Sequence, residues 1–177
     1  LSTQDGSAYL KIAEGCDNRC AYCLIPYIRG PLVSRKMEDI LVEAKALLEK
    51  GVKEVVLIAQ DCGRYGLDLY GKRRLPELLD QIASLPFAMV RLLYVYPDLV
   101  DQELLAVMKK HDNICHYLDM PIQHCSATVL QAMHRRGDKE SLLEKIREIR
   151  AALPDVVLRT TVMLGFPGET EADFEEL

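Results

Sequence analysis

Apolar and polar positions alternate between two periods along the chain. Tyr9-Leu10-Lys11-Ile12-Ala13 alternates residue by residue and predicts a strand. From Met37 to Lys50, Ile40, Leu41, Ala44, Leu47 and Leu48 fall on one helical face, and Gly51 supplies a left-handed stop. Val55-Val56-Leu57-Ile58-Ala59 is a continuous apolar run of strand length, as expected where both faces are covered. The alternation then repeats. Leu75, Leu78, Leu79 and Ile82 mark a second helix with Pro76 in its first turn, and Met89 to Tyr94 reads as a third strand. Leu104, Leu105 and Met108 mark a third helix behind Asp101, and Tyr117 to Met120 is a fourth, shorter strand. Ser126 can cap a helix through Met133. Leu142, Leu143, Ile146 and Ile149 define a long helix ending before Pro154. Val156 to Leu164 is a fifth strand, closed by Gly165-Phe166-Pro167-Gly168.

Five successive strand–helix units predict an α/β domain with a parallel sheet. Right-handed crossovers leave a doubly wound open sheet or part of a barrel, and the pattern alone does not choose between them. In either arrangement the chemistry belongs in the loops that follow the strands. The longest irregular stretch, about residues 15–34, exceeds the usual strand–helix connection, which marks it as functional.

The composition removes several function classes. The 177 residues are 49% apolar, enough for a sizeable core, and carry a net charge of −5. That balance argues against nucleic acid as a general partner, although Lys72-Arg73-Arg74 and His134-Arg135-Arg136 remain local basic contact points. Trp is absent and aromatics make up 6%, too few for a base-stacking platform. No apolar run approaches the roughly 20 residues of a membrane span. The first residues lack the charged and apolar regions of a signal peptide, so a cytoplasmic location is expected. The chain starts at Leu1, and residues 169–177 open a helix that does not finish. Part of a longer protein is therefore expected, with residues 1–8 a linker or terminal remnant and 9–177 the domain.

Six cysteines are distributed unlike a disulfide framework. Cys16, Cys20 and Cys23 form Cys-x3-Cys-x2-Cys just after the first strand, whereas Cys62, Cys115 and Cys125 are scattered. Three thiolates this close repel one another unless a cation holds them. A structural zinc site wants four ligands and would need completion by Cys62, Cys125 or His124, giving a non-catalytic, zinc-stabilised α/β binding module. A 4Fe-4S cluster on three cysteines leaves one iron free to bind a small molecule.

Glu14-Gly15-Cys16-Asp17-Asn18-Arg19-Cys20-Ala21-Tyr22-Cys23-Leu24-Ile25-Pro26, with Arg29-Gly30 and Ser34-Arg35, resembles the methylthiotransferases of the radical S-adenosylmethionine superfamily. Val162 to Thr170 (Val-Met-Leu-Gly-Phe-Pro-Gly-Glu-Thr) resembles them as well, so the likeness runs from about Tyr9 to Leu177. Ala59-Gln60-Asp61-Cys62-Gly63-Arg64-Tyr65-Gly66 and Leu118-Asp119-Met120-Pro121-Ile122-Gln123-His124 look like the branch that modifies an aspartate of a small-subunit ribosomal protein. They look less like the branch that modifies a tRNA adenosine, which is the alternative.

The resemblance implies a partial parallel (β/α) barrel of the radical S-adenosylmethionine type with its sixth unit truncated. It implies an N-terminal domain holding a second 4Fe-4S cluster and a C-terminal substrate-gripping β-barrel, both outside this stretch. Cys16, Cys20 and Cys23 would ligate a 4Fe-4S cluster whose fourth iron binds S-adenosylmethionine. One electron from a donor then yields a 5′-deoxyadenosyl radical that takes hydrogen from the aspartate β-carbon, chemistry carried by the cofactor rather than by a side-chain base. Accordingly no side chain is assigned a catalytic role. Tyr22 would lie near the adenine. Gln60, Gln123 and Arg159, at or near strand ends, are expected to face the mouth where the cofactor would bind, with Arg159 a fork for its carboxylate, and Gly165 would let the backbone approach. The resemblance leaves Cys62, Cys115 and Cys125 as small hydrophobes.

Overall fold

A computed structural model of the chain describes residues 6–177. In chain order its elements are β1 (Ser7–Lys11), β2 (Ala13–Glu14), α1 (Ile25–Ile28), β3 (Val33–Ser34), α2 (Met37–Glu49), β4 (Glu54–Ile58), α3 (Leu67–Tyr70) and α4 (Leu75–Ala83). They continue as β5 (Met89–Leu92), α5 (Gln102–Lys110), β6 (Tyr117–Asp119), α6 (Ala127–Ala132), α7 (Lys139–Ala152), β7 (Val157–Arg159) and α8 (Glu171–Glu176).

β4 lies between β1 and β5, parallel to both. This explains its unbroken apolar run, since helices cover both faces of a parallel sheet. The registers Leu10↔Leu57 and Leu57↔Leu92 put three leucines side by side. All three are essentially fully buried. At about 1.5–3 kcal/mol per buried leucine, this row outweighs any exposed ion pair of the surface. β6 and β7 pair in parallel as a second ladder. A parallel bridge Val90↔Ile114 and the Val95 N–H donating to Asp119 O join that ladder to β5. The five strands β1, β4, β5, β6 and β7 thus follow one another in an open parallel series. The antiparallel pair β2–β3 is a separate small ribbon.

Local chemistry shapes the helices. α2 buries Met37, Ile40, Ala44 and Leu47 as one stripe, and Gly51 ends it at φ +80°. Asp101 accepts from the Leu104 N–H to cap α5, and Asp138 with Ser141 forms a capping box on α7. Ser126 sits at the N-cap of α6, but its hydroxyl donates to Asp173 rather than capping the helix.

Three expectations change. β1 starts at Ser7, so residues 7 and 8 belong to the domain and not to a linker; residues 1–5 lie outside the described part. The stretch from 15 to 34 is not wholly irregular, since it contains α1 and β3. The fifth strand is short, reduced to Val157–Arg159 plus an isolated bridge Gln123↔Val162, because Gln123 at φ +68° breaks the partner strand's extension. Among the described residues, no helix is long and apolar enough to cross a membrane.

Candidate metal centre

Cys16, Cys20 and Cys23 sit on the loop after β2, where it leaves the C-terminal edge of the parallel strands. Gly15 starts this loop at φ +71° with the Pro31 carbonyl packed against its α-carbon, an approach that no side chain permits. The Cys16 N–H donates to Gly30 O and the Leu32 N–H to the Asp17 carboxylate, which closes the base of the loop. The Cys23 N–H donates to Cys20 O at 3.0 Å, a tight turn that sets those two residues together. All three cysteines are free, with Cys16 and Cys20 buried and Cys23 partly so. Burial pushes the Cys16 thiol up, and the charges of Asp61, Cys20 and Cys23 push it further. Three free thiols on one short, largely buried loop suit a soft, positively charged metal centre. Among the described residues, no group of three or more His, Cys, Asp or Glu side chains is already arranged around a single ion.

Other strands contribute from the same edge. After β4, the buried Asp61 accepts from Asn18 of the cysteine loop at 2.7 Å and from the Gly63 N–H at 3.1 Å. Burial raises its carboxyl to about 6 against the help of those donors. Beside it, the Oε1 of Gln60 is buried without a hydrogen-bond partner. After β5 comes Tyr96, whose hydroxyl lies 3.4 Å from the Cys20 sulfur. After α6, the Arg135 guanidinium stacks on the Tyr96 ring at 4.2 Å and donates to Pro121 O at 2.7 Å and to the Tyr22 hydroxyl at 3.3 Å. The Ala21 N–H donates to Met133 O, and the His134 ring is 3.0 Å from Arg19 O. The cysteine loop is thereby tied to three neighbouring connections.

Of the residues expected here, Tyr22 meets Phe166 edge-on at 6.5 Å, beside Gly165 at φ +75°. Gln123 bonds through its backbone to Thr161 and Met163, which stitches the loop after β6 to the one after β7. Its neighbour His124 is fully buried, accepts from the Ser126 N–H through Nδ1, and turns Nε2 toward Glu169 at 3.7 Å. Arg159 donates to Asp119 at 2.6 Å, so an acidic side chain of the neighbouring strand already uses its fork. Cys62 is fully buried in the core, Cys125 is buried and Cys115 partly so. Tyr94, Gln123 and His134 have positive φ without being glycine, and all three border this edge. Such strain costs about 1–3 kcal/mol each and concentrates at working sites. A cleft of about 500 Å³ opens on one side, lined by Cys20, Tyr96, Arg64 and Arg135 among others. It includes neither Cys16 and Cys23 nor Gln60, Gln123, Arg159 and Gly165.

Sequence reasoning missed Asn18, Tyr96 and the structural part played by Arg135. Arg135 did stand in the basic triplet 134–136, but its stacking partner lies 39 positions earlier and only the fold pairs them.

The radical SAM superfamily model matches residues 10–177. The chain belongs to this superfamily. Radical SAM membership implies a 4Fe-4S cluster and S-adenosylmethionine, consistent with a three-cysteine loop at the C-terminal edge of a parallel sheet. Over its whole length the chain is 56% identical to a Clostridioides difficile protein named ribosomal protein uS12 methylthiotransferase RimO, and 53% identical to a protein of that name from Alkaliphilus oremlandii. It spans about two fifths of the length of these curated relatives. In fold it is similar to the radical S-adenosylmethionine methyltransferase TsrM from Kitasatospora setae, with a TM-score of 0.72, 17% identity, and coverage of 95% of this chain and 32% of that one. It is also similar to the cobalamin-dependent radical enzyme OxsB, with a TM-score of 0.71, 14% identity, and coverage of 97% of this chain and 26% of that one.

Proposed function

We propose that this chain is the radical-generating domain of an enzyme that methylthiolates an aspartate of the small-subunit ribosomal protein uS12. One observation carries the reading: matches that cover the entire chain at 53–56% overall identity are to proteins named for that activity. A cytoplasmic setting, where ribosomes are made, and an electron donor as partner follow from it.

Cys16, Cys20 and Cys23 would hold the 4Fe-4S cluster. When bound, cluster and S-adenosylmethionine supply one-electron cleavage of a carbon–sulfur bond and removal of hydrogen from an unactivated carbon. The protein's part is placement. Gly15 and the Asp17–Leu32 bond close the base of the loop that carries the three thiols. The unpartnered Oε1 of Gln60 is an acceptor for an ammonium or amino group of a bound ligand. Tyr22, braced by Phe166 and Arg135, offers a flat apolar face to a base. Gln123 and Gly165 stand at positive φ in the connections after β6 and β7, which the Gln123 backbone joins through Thr161 and Met163. Arg159 reaches a ligand carboxylate only by exchanging Asp119 for it.

Anaerobic reconstitution tests this. Wild-type protein is expected to bind about four irons and four sulfides per chain and to release 5′-deoxyadenosine from S-adenosylmethionine under strong reductant. Cys20→Ala is expected to lose both. One zinc per chain and no colour would overturn the reading. Methylthio-adenosine in tRNA, with uS12 unmodified, would move the protein to the tRNA branch.

A further inference from the structure

The contacts of Tyr96 and Arg135 are not accounted for by cofactor binding or by packing alone. The Cys20 sulfur is 3.4 Å from the Tyr96 hydroxyl. Among the described residues, no such side-chain hydrogen bond reaches the sulfur of Cys16 or Cys23. A sulfur bound to iron carries no proton, so in the loaded protein the hydroxyl is the donor. Tyr96 is not free to swing away. Its backbone leads into Pro97, which opens the tight turn to Leu99, and the Arg135 guanidinium lies on its ring at 4.2 Å. Arg135 is itself fixed at both ends, by Pro121 O and by the Tyr22 hydroxyl. It has no carboxylate partner among the described residues, so its charge is not cancelled locally.

Adding an electron to an iron–sulfur centre adds negative charge, part of it on the ligating sulfurs. A hydrogen bond to such a sulfur stabilises the reduced state more than the oxidised one. A cation held one ring away acts in the same sense, both directly and by polarising the hydroxyl. We propose that Tyr96, clamped by Arg135, is a positioning residue of the metal centre: its hydroxyl donates a hydrogen bond to the Cys20 sulfur and raises the potential at which the centre accepts its electron from an external reductant. This rests on the proposed function, because it requires Cys20 to be an iron ligand.

The test is a spectroelectrochemical titration, followed by electron paramagnetic resonance, of the full-length reconstituted enzyme that carries this chain. Tyr96→Phe is expected to hold the same iron and sulfide as wild type and to shift the midpoint potential to a more negative value. Arg135→Gln is expected to shift it in the same direction, and to shift it less when Tyr96 is already Phe than when Tyr96 is intact, because part of its effect passes through the hydroxyl. An unmoved potential in iron-replete Tyr96→Phe overturns the inference and leaves the proposed function standing. Loss of iron in Tyr96→Phe also overturns it, since the ring would then only support the loop. Wild-type protein that takes up no iron overturns the proposed function and the inference together.

Discussion

At Gly15 a single missing atom decides whether the cysteine loop closes. A β-carbon there would stand 2.0 Å from the Pro31 carbonyl oxygen and 2.6 Å from that of Gly30, and both are backbone atoms that cannot turn aside. The left-handed φ adds about 1–2 kcal/mol of its own for any other residue. Gly15→Ala is therefore expected to lower the melting temperature by about 5 °C or more, at roughly 2–4 °C per kcal/mol for a chain of this size, and to reduce bound iron. Calorimetry and iron analysis check both. Asp61 carries a different kind of local tension. Burial raises its carboxyl to about 6 in the folded chain, whereas unfolding returns it to about 3.9. Between those values the folded state binds the extra proton, so the stability that Asp61 itself contributes is fully present below about pH 4 and is lost as pH rises through 6. The expected loss is roughly 3 kcal/mol between pH 4 and 7. Urea unfolding across that range should show it in wild type and not in Asp61→Asn.

Among the elements, stability is graded from β4 outward. β4 is bonded on both sides and contributes the buried Val55 and Leu57 to the core. β7 is only three residues long, is paired on one side to β6, and leaves Val157 and Arg159 exposed. α8 buries no residue and is fastened chiefly through its cap, where Thr170 bonds to Asp173, and through the Ser126–Asp173 bond at 2.5 Å. Local opening is cheapest where few apolar contacts must break. In hydrogen exchange the amides of Val56 and Leu57 should follow global unfolding, and that of Val157, which donates to His116 O, should exchange at least about 100-fold faster. Equal protection of β4 and β7 would contradict this gradient. The loop after β7 carries Phe166 against Tyr22, so the least protected strand leads directly into the site.

For the whole molecule, the features legible in the sequence were those that short segments settle on their own. The β4 run, the α2 stripe with its Gly51 stop, the Asp101 cap and the Cys-x3-Cys-x2-Cys spacing each depend on neighbours within about a dozen positions. Their periodicity and turn chemistry were enough to predict an α/β chain with parallel strands and a metal-seeking loop after the first of them. The same local rules misjudged Ser126, whose hydroxyl had two partners to choose from and took Asp173, 47 positions away. They also overextended the fifth strand, since its length depends on whether a partner strand continues beside it, and Gln123 turns at φ +68° instead. Arg159 looked available as a fork for a ligand, and only the β6–β7 register revealed Asp119 within 2.6 Å of it. The grouping of Cys20, Tyr96 and Arg135 had no signature at all, because they belong to three connections that meet only once the strands are in order. Sequence by itself determined most of the elements, their alternation and the Cys-x3-Cys-x2-Cys spacing, since backbone preference, side-chain period and turn chemistry are properties of short stretches. Which donors bond to one another at the strand ends was decided by the tertiary structure, because those contacts join residues far apart in the chain and exist only after the core has packed.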